Sequence, residues 1–439
     1  MSVSAEWSTV RLGDVVKVNY GRPMQKAKRA GGPVPVYGSN GVVGQHDVPL
    51  TTGPTIIIGR KGSSGAINVS AVACWPIDTT YYIDDPGPYS LPFLERLLRS
   101  LRLEELDRST AIPGLSREQL YDLEVPLPPP EEQQDIADLL GQAERKTESS
   151  RARLKAAALA MQRFRQAVIY SGCRGEMSQS WRESHPDEEP MDSVLARHAA
   201  YNQDVPINKR RLKAAPGLRL IGDEFTFPEL WAFMPIRELV GSRAIVDVQD
   251  GNHGELYPRK DDFTTNPEDG IPYISAESVS RVVLIESAPR LKHDVASRLR
   301  IGFARAGDVI LTHNATVGRV AVLPPDSPDV VLSTSTTYYR SDPRVLLPDY
   351  LALYMRSHFF QQQLAAVMEQ TTRNQVPVTK QVELSVAVPP IEEQREIVRL
   401  VELLLDLGDD VSDRLGRAAQ SVERSANSVL AKTFGSASG

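Results

Sequence analysis

Several things are scarce in this chain, and each scarcity closes a class of explanation. Two cysteines occur in 439 residues, Cys74 and Cys173, so neither a disulfide framework nor a cysteine zinc cluster can be built. Seven histidines are scattered along the chain with no H-x-x-x-H pair, so a helical zinc site is missing too. No run of 18 apolar residues is present, and no membrane span is expected. The start, MSVSAEWSTVRLGD, lacks the basic-then-apolar pattern of a signal peptide, so the chain reads as cytoplasmic. There is no G-x-x-x-x-G-K-[ST] phosphate loop, which argues against an ATP-driven motor. An adenine-N6 methyltransferase needs Asn/Asp-Pro-Pro-Tyr/Phe to hold a flipped base. The Pro-Pro pairs here are Leu127-Pro128-Pro129-Pro130, Leu323-Pro324-Pro325-Asp326 and Val388-Pro389-Pro390-Ile391, and none fits. No clustered Asp/Glu/Lys set suggests a nuclease, so no catalytic residue and no metal or cofactor site is expected. A net charge of −6 speaks against a protein that coats nucleic acid with its whole surface, but leaves local basic patches open.

What the chain does have, it has twice. Residues 125–140 read VPLPPPEEQQDIADLL and residues 386–401 read VAVPPIEEQREIVRLV, aligned without a gap at an offset of 261. Both copies hold a Pro pair, then Glu131-Glu132-Gln133 or Glu392-Glu393-Gln394, then Ile136 or Ile397. A repeat this widely spaced means two large units in tandem rather than a solenoid.

Each motif opens a long helix. Stepping 4, 3, 4, 3 from Ile136 gives Leu140, Ala143, Thr147, Ser150, Leu154, Ala157, Met161, Phe164 and Val168. The same steps from Ile397 give Val401, Leu404, Gly408, Val411, Leu415, Ala418, Val422, Ser425 and Val429. This is an a/d heptad seam, with charged residues between the seam positions. Proline is tolerated in the first turn of a helix and not inside it, so the Pro cluster sets each start. Glu131, Glu132, Glu392 and Glu393 then sit at the positive end of the helix dipole. The spacing predicts two helices, 130–170 and 391–434, that pair through their seams as an antiparallel coiled coil. The alternative is that each helix packs on its own domain.

The copies extend upstream. Trp7 aligns with Trp231, Val34-Pro35 with Ile271-Pro272, and Ile56-Ile57-Ile58 with Val309-Ile310-Leu311. Thr79-Thr80-Tyr81-Tyr82 recurs as Thr336-Thr337-Tyr338-Tyr339, and Ile112-Pro113 as Val376-Pro377. The tetrapeptide reads as a core strand with structural tyrosines rather than a base-stacking site. Short β-type runs alternate with polar turns, and residues 91–106 and 348–368 read as helical, which predicts an α+β fold class. Residues 171–228, charged and Pro-rich with an amphipathic piece at 191–201, have no counterpart in the second half. They read as a connector that also contacts a partner.

On these residues the chain resembles the specificity subunit of a type I restriction-modification enzyme. The resemblance rests on the tandem architecture, the Pro-Pro-x-Glu-Glu-Gln helix starts and the turn Arg60-Lys61-Gly62-Ser63-Ser64-Gly65. It also rests on Ile112-Pro113-Gly114-Leu115-Ser116 and on the stretch from Cys173-Arg174-Gly175 to Pro186-Asp187. It implies two tandem target recognition domains, 1–129 and 229–390, each reading one half of a split, asymmetric duplex DNA site. It implies spacer helices at 130–170 and 391–434 that fix the gap between the half-sites, with the connector at 171–228. It also implies a platform for two methyltransferase (modification) subunits, joined by two restriction (translocase/nuclease) subunits. S-adenosylmethionine, ATP and Mg2+ would sit on those partners and none on this chain, and no membrane is involved. The remaining alternative is a coiled-coil-spaced adaptor that does not bind DNA.

Phosphate contacts are expected from cations in turns, and base contacts from polar side chains at loop tips. The candidates in the first domain are Arg22, Lys26, Lys28, Ser39, Asn40, Arg60, Lys61, Ser63, Ser64, Arg108 and Thr110. In the second they are Asn252, His253, Tyr257, Arg259, Lys260, Ser275, His313, Asn314, Thr316, Arg373, Asn374 and Gln375. The helix-pairing seam is expected to be carried by Ile136, Leu140, Leu154, Met161, Phe164, Ile397, Val401, Leu404, Val411, Leu415 and Val422. The run Lys209, Arg210, Arg211 and Lys213 reads as linker.

Overall fold

The computed structural model describes residues 7–29, 31–106, 114–204, 206, 226–369 and 374–434. The chain divides into two compact units, Met1–Ala157 with Arg414–Gly439, and Ala158–Asp413. Each unit therefore takes a stretch of both long helices. Among the described residues no helix is long and apolar enough to cross a membrane.

In the first unit, strand Ser8–Arg11 pairs antiparallel with Glu124–Leu127, just ahead of the long helix. A four-stranded antiparallel sheet runs in the order Asn19–Tyr20, Thr80–Ile83, Thr55–Gly59, Ile67–Ser70. Thr55–Gly59 is buried along its whole length, which explains an unbroken Ile56-Ile57-Ile58 where a half-exposed strand would alternate. A second sheet joins Gly41–His46, Val34–Gly38 and Trp75–Pro76, the last two in parallel. Helix Leu91–Ser100 closes the core with Phe93, Leu94, Leu97 and Leu98 at helical spacing. Ser90 caps it by accepting the Phe93 N–H. The helix stops short of the expected Leu106: Arg102 takes φ 46°, and Leu103–Leu106 form a 3-10 turn.

The second unit repeats this plan. Ala232–Pro235 pairs with Ser385–Val388, and the four-stranded sheet runs Ile245–Asp250, Thr336–Ser341, Val309–Thr312, Val320–Val322. The companion sheet has grown to five strands around the parallel pair Gly270–Ile274 and Val330–Leu332. The expected helix 348–368 is two helices, Pro348–Arg356 and His358–Glu369, broken at Ser357. Much of the expected connector belongs to this unit. Helix Met191–Tyr201 sends Met191 and Leu195 into the core beside Trp231. The run Lys209–Lys213 lies outside the described residues.

The two sheets correct one alignment read from the letters. Gly59 is paired with Thr80, and Thr312 with Thr336. The threonine equivalent to Thr336 is therefore Thr80, not Thr79, and the tetrapeptides are one residue out of step. On a strand a one-residue slip exchanges the two faces. Tyr81 thus matches Thr337, and Tyr82 matches Tyr338.

The long helices are Pro130–Cys173 and Ile391–Phe434, 44 residues each, or about 66 Å at 1.5 Å per residue. They run antiparallel to each other in both units. In the first, Arg151 makes a bidentate pair with Glu423 at 2.7 and 2.6 Å. Phe434 lies 5.9 Å from Phe93, and it joins Ile136 and Leu140 in the core. In the second, Arg165 pairs with Asp409, and Gly172 lies against Val401 and Ile397. Gly408, a weak seam position by sequence, still faces the other helix: atoms of Met161 and Phe164 lie 3.4 Å from where its Cβ would be, an ordinary contact distance. Leu154, Leu404, Leu415 and Val422 are half-buried, whereas Phe164 and Val411 stay exposed.

The repeated Glu-Glu-Gln owes its persistence to the glutamine. Gln133 is fully buried; its Oε1 accepts the Ser90 N–H at 2.9 Å and its Nε2 donates to the Pro128 carbonyl at 3.0 Å. Gln394 does the same to Leu347 N–H at 2.8 Å and Pro389 carbonyl at 2.9 Å, and also donates to Val345 carbonyl at 2.9 Å. Each long helix is thereby tied to the domain helix that begins at Leu91 or Pro348. A shorter side chain cannot span both partners.

Candidate nucleic-acid interface

Matching the sheets strand by strand brings out one locus that both units share. Tyr20 pairs with Tyr81 in the first sheet, and Asp250 pairs with Thr337 in the second. Val18-Asn19-Tyr20-Gly21 accordingly matches Val248-Gln249-Asp250-Gly251. Gly21 and Gly251 are both held by close backbone approach: a Cβ would meet the Ile77 carbonyl oxygen at 2.0 Å or the Leu332 carbonyl oxygen at 2.3 Å. Arg60 matches His313, because each follows the central strand and accepts, through its carbonyl, the N–H of Leu115 or Val376. The turns agree as well. Gly65 N–H returns to Gly59 carbonyl, and Gly318 N–H to Thr312 carbonyl, both at 2.9 Å.

The chemistry at this shared locus differs. In the first unit Tyr20, 43% exposed, lies between two cations. The Arg60 guanidinium is 5.1 Å from its ring centre and that of Arg117 is 5.0 Å. Tyr81 meets Tyr20 edge-on at 5.0 Å, and its hydroxyl donates to the Leu115 carbonyl. Burial, with Tyr20 adding to it, pushes the Tyr81 hydroxyl up to about 12, so it stays neutral. This is a cationic and aromatic surface, suited to a phosphate and a stacked base.

In the second unit the locus is polar and mixed in charge. His253 Nε2 lies 2.8 Å from Asp250 Oδ2, and Thr337 Oγ1 lies 2.8 Å from His313 Nδ1. Burial lowers His313 to about 4, with Asp250 pulling the other way, so the ring is neutral at pH 7. A neutral imidazole and a carboxylate are hydrogen-bonding groups rather than a phosphate trap.

The remaining sequence candidates fall into three groups. Asn40, Ser63 and Ser64 line one open cleft with Asn68, Arg99 and Glu104, beside the Lys61 turn. Arg22, Lys26 and Lys28 are exposed nearby in sequence, on the segment that carries the 3-10 turn Lys26–Lys28. In the second unit Tyr257, Arg259, Lys260 and Thr316 are exposed. Asn314 bridges to Gln375, and the N–H of Ala315, a residue at φ 63°, donates to the Asn374 carbonyl, so these turns meet.

A second group is structurally committed. The Ser39 hydroxyl lies 2.7 Å from the carbonyls of both Lys61 and Thr79 and fastens one turn to another. Asn252 is buried, donating to Ile301 carbonyl and accepting from Arg300 N–H. Ser275 opens the 3-10 turn Ala276–Ser278. The third group, Arg108, Thr110 and Arg373, lies outside the described residues, as does Ile112-Pro113. Sequence reading missed Tyr20, Arg117 and Asp250. The matching Val-x-x-Gly strands were the available signal for Tyr20 and Asp250.

Comparison with known proteins agrees with this architecture. Residues 4–158 match the family model described as the type I restriction modification DNA specificity domain. The chain is 24% identical to the type I restriction enzyme EcoDI specificity subunit of Escherichia coli, over 98% of this chain and 88% of that protein. It is 23% identical to the EcoBI specificity subunit of the same species, over 74% of this chain and 60% of the relative. Among solved structures, a chain from a study of complex assembly and conformational transition in the type I R-M system superposes with a TM-score of 0.64 at 15% identity. That superposition covers 98% of both chains. The HsdS subunit from Thermoanaerobacter tengcongensis gives 0.53 at 16% identity, covering 99% of this chain and 98% of that one. By the family model over residues 4–158 and by its relatives, the chain is similar to the specificity subunits of type I restriction-modification enzymes, and it shares the fold of the solved ones.

Proposed function

We propose that this chain reads a bipartite, asymmetric duplex DNA site, one half-site per globular domain, with recognition domains 1–129 and 229–390. As a specificity subunit it is a recognition component rather than a catalyst. The observation that carries the reading is the shared sheet locus. One frame offers Tyr20, Arg60 and Arg117 in one unit and Asp250 and His253 in the other, where His313 is buried and bonded to Thr337. Two domains of one fold with unlike chemistry at the same place suit two different half-sites. The cations and turn residues Arg22, Lys26, Lys28, Asn40, Lys61, Ser63, Arg259, Lys260, Asn314 and Thr316 supply the surrounding contacts. The paired helices set the gap between half-sites. They also carry two modification subunits, with two restriction subunits joining. An exposed apolar stripe, Leu403, Leu407 and Val411 at helical spacing on the second helix, suits a surface that a partner covers.

Single-base methylation mapping of host DNA with and without the gene tests this. The expected result is loss of adenine methylation at one split motif with unlike halves. A palindromic motif, or no change in a host with an active modification subunit, would overturn the reading.

A further inference from the structure

In the second unit, Trp231 Nε1 donates to Glu393 Oε2 at 2.9 Å. Glu393 is fully buried, because the chain leaving the first long helix folds over it. Gly175 makes the turn at φ +78°, where a Cβ would lie 3.0 Å from the Trp231 ring. Ser178 Oγ then donates to Glu393 Oε1 at 2.7 Å, and Arg182 pairs with the same oxygen. Tryptophan, glutamate, serine and arginine form one closed docking joint made within a single chain.

The first unit contains the receiving half of that joint. Glu132 stands 261 residues before Glu393, in the same motif. Trp7, at the position of Trp231, donates from Nε1 to Glu132 Oε2 at 3.4 Å. Here the carboxylate is exposed, and among the described residues no cation pairs with it. A second copy of this chain has its own Arg182 committed to Glu393.

We propose that the Trp7–Glu132 pair is a docking site for an arginine-bearing segment of the modification subunit, which takes the place that Arg182 holds in the second unit. This rests on the scaffolding role proposed above. Among the described residues the carboxylate's Oε1 has no partner, which leaves it for a guanidinium, and the indole forms the apolar wall beside it. Once such a pair is covered on docking, losing one partner leaves the other charge buried and unpaired, which is what makes the loss large. The consequence is asymmetry: one half of the frame closes its joint with its own connector, and the other half closes it with a partner.

The test uses the full-length chain titrated with the modification subunit of its own system. Glu132→Arg is expected to weaken binding of one modification subunit by about 10- to 100-fold, as loss of a covered charge pair does. Glu131→Arg, an equal charge change one residue away, is expected to leave affinity within about 2-fold. Benzoylphenylalanine in place of Trp7 is expected to crosslink to the modification subunit beside an arginine. Unchanged melting of the Glu132→Arg chain reports that the fold is kept, since the side chain is exposed. If wild type binds but Glu132→Arg binds as tightly, or Glu131→Arg weakens binding equally, the docking proposal is overturned and the scaffolding role stands. If wild type binds no modification subunit at all, both fall.

Discussion

The glutamine of the repeated motif offers a quantitative test of how the helix frame is fastened. Replacing Gln394 by alanine removes one acceptor and one donor group that together satisfy Leu347 N–H and the carbonyls of Pro389 and Val345. The site is fully buried, so water cannot take over these partners at full strength. Leaving one buried N–H orphaned costs about 1–3 kcal/mol, and each carbonyl somewhat less, so the sum is about 2–4 kcal/mol. Gln133→Ala frees only Ser90 N–H and the Pro128 carbonyl, and Ser90 is partly exposed, so about 1–2 kcal/mol is expected there. Gln394→Glu should be worse than alanine, because an ionised carboxylate cannot donate to two carbonyls in a dry site. Urea unfolding, with amide exchange in Pro348–Arg356 and Leu91–Ser100 reporting each unit separately, measures both losses. A loss under about 0.5 kcal/mol for Gln394→Ala, or a larger loss for Gln133→Ala, would refute the claim that this residue ties helix to domain.

Three further outcomes are expected. Arg60→Ala should weaken duplex binding at every salt concentration and lower the slope of log K against log salt by about 1, while Tyr20→Ala should cost about 1–3 kcal/mol of stacking; salt titrations that leave slope and affinity unchanged would remove this locus from the interface. His313, held near 4 when folded against about 6.5 unfolded, contributes about 3 kcal/mol above pH 6.5 that is lost as pH falls towards 4. His313→Asn should therefore flatten the fall in second-unit stability between pH 7 and 4, and equal acid sensitivity in both proteins would contradict it. Deleting Leu154–Ala160 together with Leu415–Ser421 removes one heptad from each helix, about 10 Å or three base pairs of duplex. The methylated motif should then change its gap or vanish, and an unchanged motif would sink the spacer role.

The helices were readable because their seam obeys a fixed period, and a deletion anywhere in it would misalign every later contact. Gly408 looked like a flaw in that period, yet it lies on the seam, where a Cβ would sit 3.4 Å from Met161 and Phe164 of the other helix. Pairing across helices, rather than any single residue, is what the pattern encodes. The sheets were less readable. Thr79-Thr80-Tyr81-Tyr82 and Thr336-Thr337-Tyr338-Tyr339 match in letters and miss in register, because only pairing with Gly59 and Thr312 fixes which face each side chain takes. Ser39 and Asn252 illustrate the same limit at the interface. Both are polar residues in turns, the usual mark of a contact residue, and both spend their side chains on backbone groups brought near only by folding. Tyr20 and Arg117 are 97 positions apart and no local pattern joins them.

That division follows from what each part must conserve physically. A helix pair buries a narrow seam repeated along its length, so register is fixed by many weak contacts at once and tolerates no insertion. A sheet core is fixed by its central strands, and its turns can lengthen at small entropic cost, about 0.6 kcal/mol for each doubling of a loop. The companion sheet has three strands in one unit and five in the other, yet the four-stranded sheets keep one strand order. Variation has gone where the backbone tolerates it, around a locus whose three strand positions stay put. Exchange of the side chains there, tyrosine and arginine for aspartate and histidine, leaves Gly21 and Gly251, the helix starts and the glutamine ties untouched. If this locus reads a half-site as proposed, a specificity change needs no change in the frame: variants swapped at Tyr20 and Arg60 should fold while binding a different sequence, whereas Tyr81, 1% exposed, belongs to the core and stays in place.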